Sequence, residues 1–240
     1  MSTDPSEIRV SLGRNLTYGL LDHLGKTIVT GGYADRPFPT EAELSKQHGV
    51  SRSVTREAVK MLTTKGLLSA RPRQGTIVQP DSTWNLFDPD VLRWLLDRKF
   101  SIELLREFNQ LRVAIEPAAA SLAARFADEQ GLALIRAGFG RMQVADNGGD
   151  DTLEADIAFH VAILRASTNP FFAQFCDVVA TALRTSIRFT NRIQGRTADL
   201  AAHEAVMHAI EARDPEAART AMMNIIDEVM ELIVKSSASE

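Results

Sequence analysis

The chain has 240 residues, 45% hydrophobic, 24% charged and 6% aromatic, with one Cys and a formal net charge of −4. That length supports a buried core in one or two domains. The lone Cys176 excludes a disulfide framework within the chain and any Cys-based zinc finger, so a reducing, cytoplasmic setting is expected. No apolar run approaches the ~18 residues of a membrane span. The opening MSTDPSEIRV lacks the plan of a signal peptide, so no membrane partner is expected.

Charge is unevenly distributed. Met1 to Pro80 carries 11 Lys and Arg against 7 Asp and Glu, a net of +4, which leaves the remainder at −8. Between Lys46 and Arg73 seven basic side chains (Lys46, Arg52, Arg56, Lys60, Lys65, Arg71, Arg73) face the single acid Glu57. This is the footprint of a nucleic-acid module joined to an acidic partner domain; a merely solvated basic surface is the alternative.

The elements support the module. Thr40, with Glu43 three residues on, forms a capping box ahead of a short helix that Gly49 ends, and Ser51 caps the next. In that second helix Val54, Ala58, Met61 and Leu62 share one face, while Arg52, Arg56 and Lys60 recur at every fourth residue on another. Two short apolar runs, Leu67 to Ala70 and Thr76 to Val78, flank the basic turn Arg71-Pro72-Arg73-Gln74-Gly75 and predict a hairpin. Together these elements make a winged helix-turn-helix. Its second helix enters the major groove, where Arg52 and Arg56 reach guanine edges or phosphates and Ser51, Ser53 and Thr55 offer hydroxyls. The wing enters the minor groove.

Phe38-Pro39-Thr40-Glu41-Ala42-Glu43-Leu44, Gly49 through Val59, Gly66-Leu67-Leu68 and Arg73 through Val78 resemble the DNA-binding domain of the GntR superfamily of bacterial transcription regulators, over most of residues 10–79. The resemblance implies operator contacts by Arg52 and Arg56 and a groove contact by the wing tip Arg73, Gln74 and Gly75. One departure is Ala42, where members often carry an Arg that makes a further contact.

After Val78 the pattern is helical. Residues 81–98, with both Trp residues, read as a junction ending in a helix that Asp88 caps and Pro89 starts; we expect it to pack between a DNA-binding domain of residues 1–80 and a helical domain of 99–240. The fold class is thus mostly α: a winged helix-turn-helix followed by an all-α bundle. Leu104, Phe108, Leu111, Ile115, Ala119 and Leu122 form the stripe of a long helix that Pro117 is expected to kink. Further helices are expected from near Asp128, Thr152, Asn169, Thr197 and Asp214.

Periodicity places His160 and His203 on inward faces and His208 outward, with Asp156 one turn before His160. An Asp and two neutral imidazoles converging inside a bundle suit Zn²⁺, Ni²⁺ or Mn²⁺; hydrogen-bonded core residues are the alternative. Residues 101–235 resemble the helical effector domain (FCD type) of the FadR subfamily, in which Asp-x-x-x-His and two later His residues hold a divalent metal beneath a ligand cavity. Asp156, His160 and His203 match three of the four positions, and Asn224 stands at the fourth.

Arg112, near the buried face, requires an anion, either Glu116 one turn on or a ligand carboxylate. Arg184, Arg188 and Arg192 repeat along another helix as a solvated face or as further anion contacts. The subfamily senses small carboxylates, and Trp84 to Trp94 is similar to its sugar-acid-responsive members. The expectation is a homodimeric repressor on palindromic double-stranded operator DNA, tuned by a sugar acid bound near the metal. A regulator that answers to metal alone and, more remotely, a metal-dependent hydrolase are the alternatives.

Overall fold

The computed structural model describes residues 16–98, 102–184 and 199–237. They form two compact units that divide between Phe100 and Ser101.

The first unit begins with α1 (Leu16–Val29), which buries Leu20, Leu21, Leu24 and Ile28. In α2 (Glu41–His48) the Thr40 hydroxyl accepts from the Glu43 amide while the Glu43 carboxylate accepts from the Thr40 amide, so both halves of the capping box form. Such caps contribute about 1 kcal/mol. Gly49, at φ 62°, ends the helix, and the Ser51 hydroxyl caps α3 (Arg52–Thr64). The buried face of α3 is Thr55, Ala58, Val59 and Leu62, with Val54 and Met61 half-buried at its margins. It stops in a Schellman motif, the Leu67 amide donating to the Leu62 carbonyl and the Gly66 amide to that of Thr63. Gly66 sits at φ +81°, and a Cβ there would lie 2.3 Å from the Thr83 carbonyl oxygen, so only Gly fits.

Strands β1 (Leu68–Arg71) and β2 (Gly75–Val78) pair antiparallel with Leu68 opposite Val78 and Arg71 opposite Gly75, leaving Pro72, Arg73 and Gln74 as the loop. Arg73 is left-handed at φ 66°. After a 3₁₀ turn (Asp81–Thr83) comes α4 (Pro89–Arg98). Residues 81–98 are part of this first unit rather than a separate junction. Val91 and Trp94 lie in the core formed by α1, α2 and α3, Trp84 and Leu95 pack against it, and the Trp94 indole donates to Asp22 of α1 at 2.7 Å.

The second unit contains α5 (Ile102–Phe126), α6 (Glu129–Asp146), α7 (Thr152–Ala166), α8 (Pro170–Gln174), the helical stretch α9 at 176–184, α10 (Leu200–Glu211) and α11 (Pro215–Ser237). Asp128, Asp151, Asn169 and Asp199 cap α6, α7, α8 and α10, and Asp214 accepts from the third amide after it. The helix expected from Thr197 starts instead at Leu200, because Asp199 supplies the cap. Helix α5 runs unbroken through Pro117. It packs against α11 and α7, α6 packs against α7, and α10 lies against α5, α6 and α11. No helix among the described residues is long and apolar enough to cross a membrane.

A basic recognition face and a buried Asp-His-His cluster

On α3 the side chains of Arg52, Ser53, Arg56 and Lys60 are exposed, as are Arg71, Arg73, Gln74 and Gly75 in the wing. Arg56 lies 3.4 Å from Glu41 and Lys60 3.9 Å from Glu57, both in solvent-exposed pairs. Such pairs contribute only about 0–1 kcal/mol, so each cation is readily surrendered to a phosphate or a base.

One expectation for the basic stretch is corrected. Thr55 is fully buried and its hydroxyl donates to the Ser51 carbonyl, because it lies in line with Ala58, Val59 and Leu62 and not with the arginines. Lys65 also turns inward: its ammonium donates to Asp88 at 2.7 Å and to Asp90 at 2.9 Å. Burial opposes its charge, but the two carboxylates more than reverse this and raise its pKa. Arg93 extends the network, bridging Asp90 and Asp22 at 2.9 and 2.8 Å. The sequence signal for it was the Asp88-x-Asp90 cap, read only as a helix start.

In the second unit Asp156 and His160 of α7 and His203 of α10 converge, all buried, with their ligand atoms within 4.8 Å of one another. Asp156 Oδ1 lies 3.3 Å from His160 Nε2 and 3.3 Å from His203 Nε2. Among the described residues, neither Asp156 Oδ1 nor His203 Nε2 has a hydrogen-bond partner. Such orphans are costly inside a protein, at about 1–3 kcal/mol each, and a cation between them removes that cost.

The opposite edge of each ring faces an oxygen. His203 Nδ1 lies 2.6 Å from the Asp199 carbonyl oxygen, and His160 Nδ1 lies 2.6 Å from Glu116 Oε2 on α5. With Nδ1 against an oxygen in each ring, Nε2 turns to the shared space, the arrangement of metal-binding histidines; the His160–Glu116 contact is a close ion pair and lacks hydrogen-bond geometry. Close helix approach places the rings: a Cβ on Gly138 of α6 would lie 2.9 Å from the Phe159 Cα, so Gly lets α6 reach the α7 backbone. The Phe159 ring then stands edge-on to His203 at 5.4 Å.

The charges are strongly coupled. Burial pushes the Glu116 carboxyl up, but Arg112 and His160 bring it down to about 2. Burial likewise opposes ionisation of Asp156, yet the two imidazoles beside it hold its carboxyl well below the usual carboxylate range. For His160, burial lowers the pKa and the charges of Glu116 and Asp156 more than reverse this, raising it to about 9.

The donor set of one carboxylate and two imidazoles fits a divalent transition metal and leaves further coordination positions for water or an exogenous oxygen. Asn224 does not complete it: it is exposed on α11, whose buried positions at that level are Met222, Ile225 and Ile226. Arg112 meets the partner within its own helix, Nε donating to Glu116 Oε1 at 2.6 Å and a terminal nitrogen to Asn109 at 3.2 Å. Arg184 pairs with Glu154 at 2.8 Å at a half-exposed position. Arg188 lies outside the described residues.

A winged helix-turn-helix with a basic outer face, followed by a helical unit holding a buried polar centre, defines a DNA-binding regulator. Residues 20–78 match the family model for bacterial regulatory proteins of the gntR family, and residues 107–228 match that of the FCD domain. The chain is 34% identical over 208 residues to the HTH-type transcriptional regulator YieP of Escherichia coli (strain K12), covering 85% of this chain and 90% of that one. It is 32% identical over 217 residues to the galactonate operon transcriptional repressor of the same organism, covering 88% and 94%. In fold it is similar to E. coli McbR/YncC, with a TM-score of 0.54 at 20% identity over 93% of this chain and 99% of that one. The chain belongs to the GntR family of transcription regulators and carries an FCD domain. Both curated relatives are named as transcription regulators, in place of the hydrolase alternative.

Proposed function

We propose that the protein is a homodimeric repressor that binds a palindromic operator and releases it when a small sugar acid coordinates a divalent metal in the FCD domain. The observation that carries this reading is the buried Asp156, His160 and His203 cluster, with two orphaned ligand atoms and, among the described residues, only these three side chains to fill a metal's coordination shell. Zn²⁺, Ni²⁺ and Mn²⁺ are the candidates by ligand type. A carboxylate and a neighbouring hydroxyl of the acid supply the remaining oxygens. The galactonate operon repressor among the relatives supports an aldonate as the first acid to try.

Operator contacts are assigned to Arg52, Ser53, Arg56 and Lys60 on α3 and to Arg73, Gln74 and Gly75 in the wing. One short recognition helix reads a half-site, so two-fold symmetry of the protein matches a palindrome. For the acid to change operator affinity it must bind the DNA-competent and DNA-incompetent states unequally.

The test is operator binding by fluorescence anisotropy with Zn²⁺ alone, with D-galactonate alone, and with both. Weakening by about 5–150-fold with both together is the expected coupling. An equal effect of Zn²⁺ alone makes the metal itself the signal. Unchanged affinity across Zn²⁺, Ni²⁺ and Mn²⁺ with a panel of aldonates, lactate and related acids refutes the switch.

A further inference from the structure

Arg112 and Glu116 sit on α5 with both side chains 2% exposed, and they are joined by Arg112 Nε to Glu116 Oε1 at 2.6 Å and a second donation to Oε2 at 3.3 Å. Arg112 also donates to Asn109 Oδ1 at 3.2 Å, and the Asn109 amide donates to the Leu105 carbonyl at 2.8 Å. The guanidinium is therefore satisfied from within its own helix and is not held open for a ligand anion. The far end of the chain is Glu116 Oε2, 2.6 Å from His160 Nδ1, across the gap between α5 and α7.

We propose that Glu116 is the positioning residue of the metal centre: it fixes the His160 ring so that Nε2 faces Asp156 and His203, and Arg112 in turn fixes Glu116. The inference rests on the reading of Asp156, His160 and His203 as metal ligands. It gives the two imidazoles different support. His203 leans on a neutral carbonyl, that of Asp199, whereas His160 leans on a carboxylate, which makes it the more basic ligand and settles its ring orientation. It also reassigns Arg112 from meeting the effector to holding the metal site, so the effector's charge is met by the metal itself.

The experiment is Zn²⁺ affinity of the full chain, measured by competition with a chromophoric chelator, together with the visible absorption spectrum of the Co²⁺-loaded protein. Glu116→Gln is expected to bind one Zn²⁺ per chain still, but about 10–100-fold more weakly, and to shift the Co²⁺ bands as the His160 ring turns. Because Gln leaves Arg112 buried without a counter-charge, the double variant Arg112→Met with Glu116→Gln, which buries no unpaired charge, is measured alongside and carries the same expectation if the single variant does not fold. Wild-type Zn²⁺ affinity and an unshifted Co²⁺ spectrum in a folded variant overturn the positioning role and leave the metal reading intact. A wild-type chain that takes up neither Zn²⁺ nor Co²⁺ overturns both.

Discussion

Asp156 and His203 face one another at 3.3 Å, carboxylate Oδ1 to imidazole Nε2, and neither atom has a hydrogen-bond partner among the described residues. Two buried polar groups of opposite tendency, brought together from different helices, form with His160 a set that could hold a metal ion. We expect His160→Ala combined with His203→Ala to reduce bound Zn²⁺ from one ion per chain to none while the far-UV circular dichroism stays that of a folded helical protein. In the wild type, Zn²⁺ at a hundredfold excess over its dissociation constant should stabilise the fold by about 2.7 kcal/mol, read as a rise in Tm that the double variant lacks. An unchanged metal stoichiometry in the double variant means that other residues hold the ion.

Proton competition gives the same site a pH signature. Glu116 and Asp156 raise His160 to about 9, above its ordinary 6.5. Its charged form thus stabilises the metal-free protein fully below the ordinary value, and that contribution is lost as pH rises through about 9. Metal demands a neutral Nε2, so binding displaces a proton wherever His160 is charged, and affinity rises with pH by up to about tenfold per unit. Asp156, held low, is ionised throughout this range. Zn²⁺ titrations between about pH 6 and pH 8 should therefore show affinity rising at least tenfold with protons released to the buffer. A flat profile would contradict the assignment of His160 as a ligand.

Much of this was legible in the sequence, and the misses share a cause. Capping chemistry is local, so Thr40 with Glu43, Gly49, Ser51, Asp128 and Asn169 marked helix ends where the structure has them. Asp156, His160 and His203 are buried as expected, because inward-facing periodicity needs only the helical repeat. Periodicity read from apolar residues alone set the face of α5 slightly off, however: Leu111 and Leu122 are only half-buried, while Asn109 is inside with Arg112 and Glu116, a pair that the spacing had offered. Polar groups that satisfy one another can be buried: Asn109, Arg112 and Glu116 do so within α5, while the reach of Glu116 to His160 crosses helices in a way spacing does not encode. Thr55 and Asn224 face elsewhere than expected for a related reason, since residue type marks what a side chain can do and only packing decides which way it faces.

Lys60 and Lys65 provide a contrast on one helix end. Lys60 is exposed on the outer face, whereas Lys65 is held by Asp88 and Asp90. Lys60→Ala should weaken operator binding uniformly across sequences and reduce the slope of log affinity against log salt by about 1. Lys65→Met should leave that slope unchanged and instead lower stability by about 1–3 kcal/mol, because it takes the ammonium from partly buried Asp88 and leaves Asp90 with Arg93 alone. Equal salt slopes for the two variants and the wild type would remove Lys60 from the interface.

Arg56 and Thr55, adjacent on α3, should separate just as cleanly. Arg56→Ala gives up only an exposed pair with Glu41, so the folded protein loses little, but operator binding should weaken by about 1–3 kcal/mol if the guanidinium grips a base edge. Thr55→Val keeps the buried shape, and its cost falls on the hydroxyl that donates to the Ser51 carbonyl, a matter of stability and not of DNA contact. Anisotropy titrations at fixed salt should therefore show Thr55→Val matching the wild type in operator affinity while Arg56→Ala falls about 5–150-fold, the same 1–3 kcal/mol expressed as a ratio. Loss of affinity in Thr55→Val without loss of Tm would return that hydroxyl to the DNA interface.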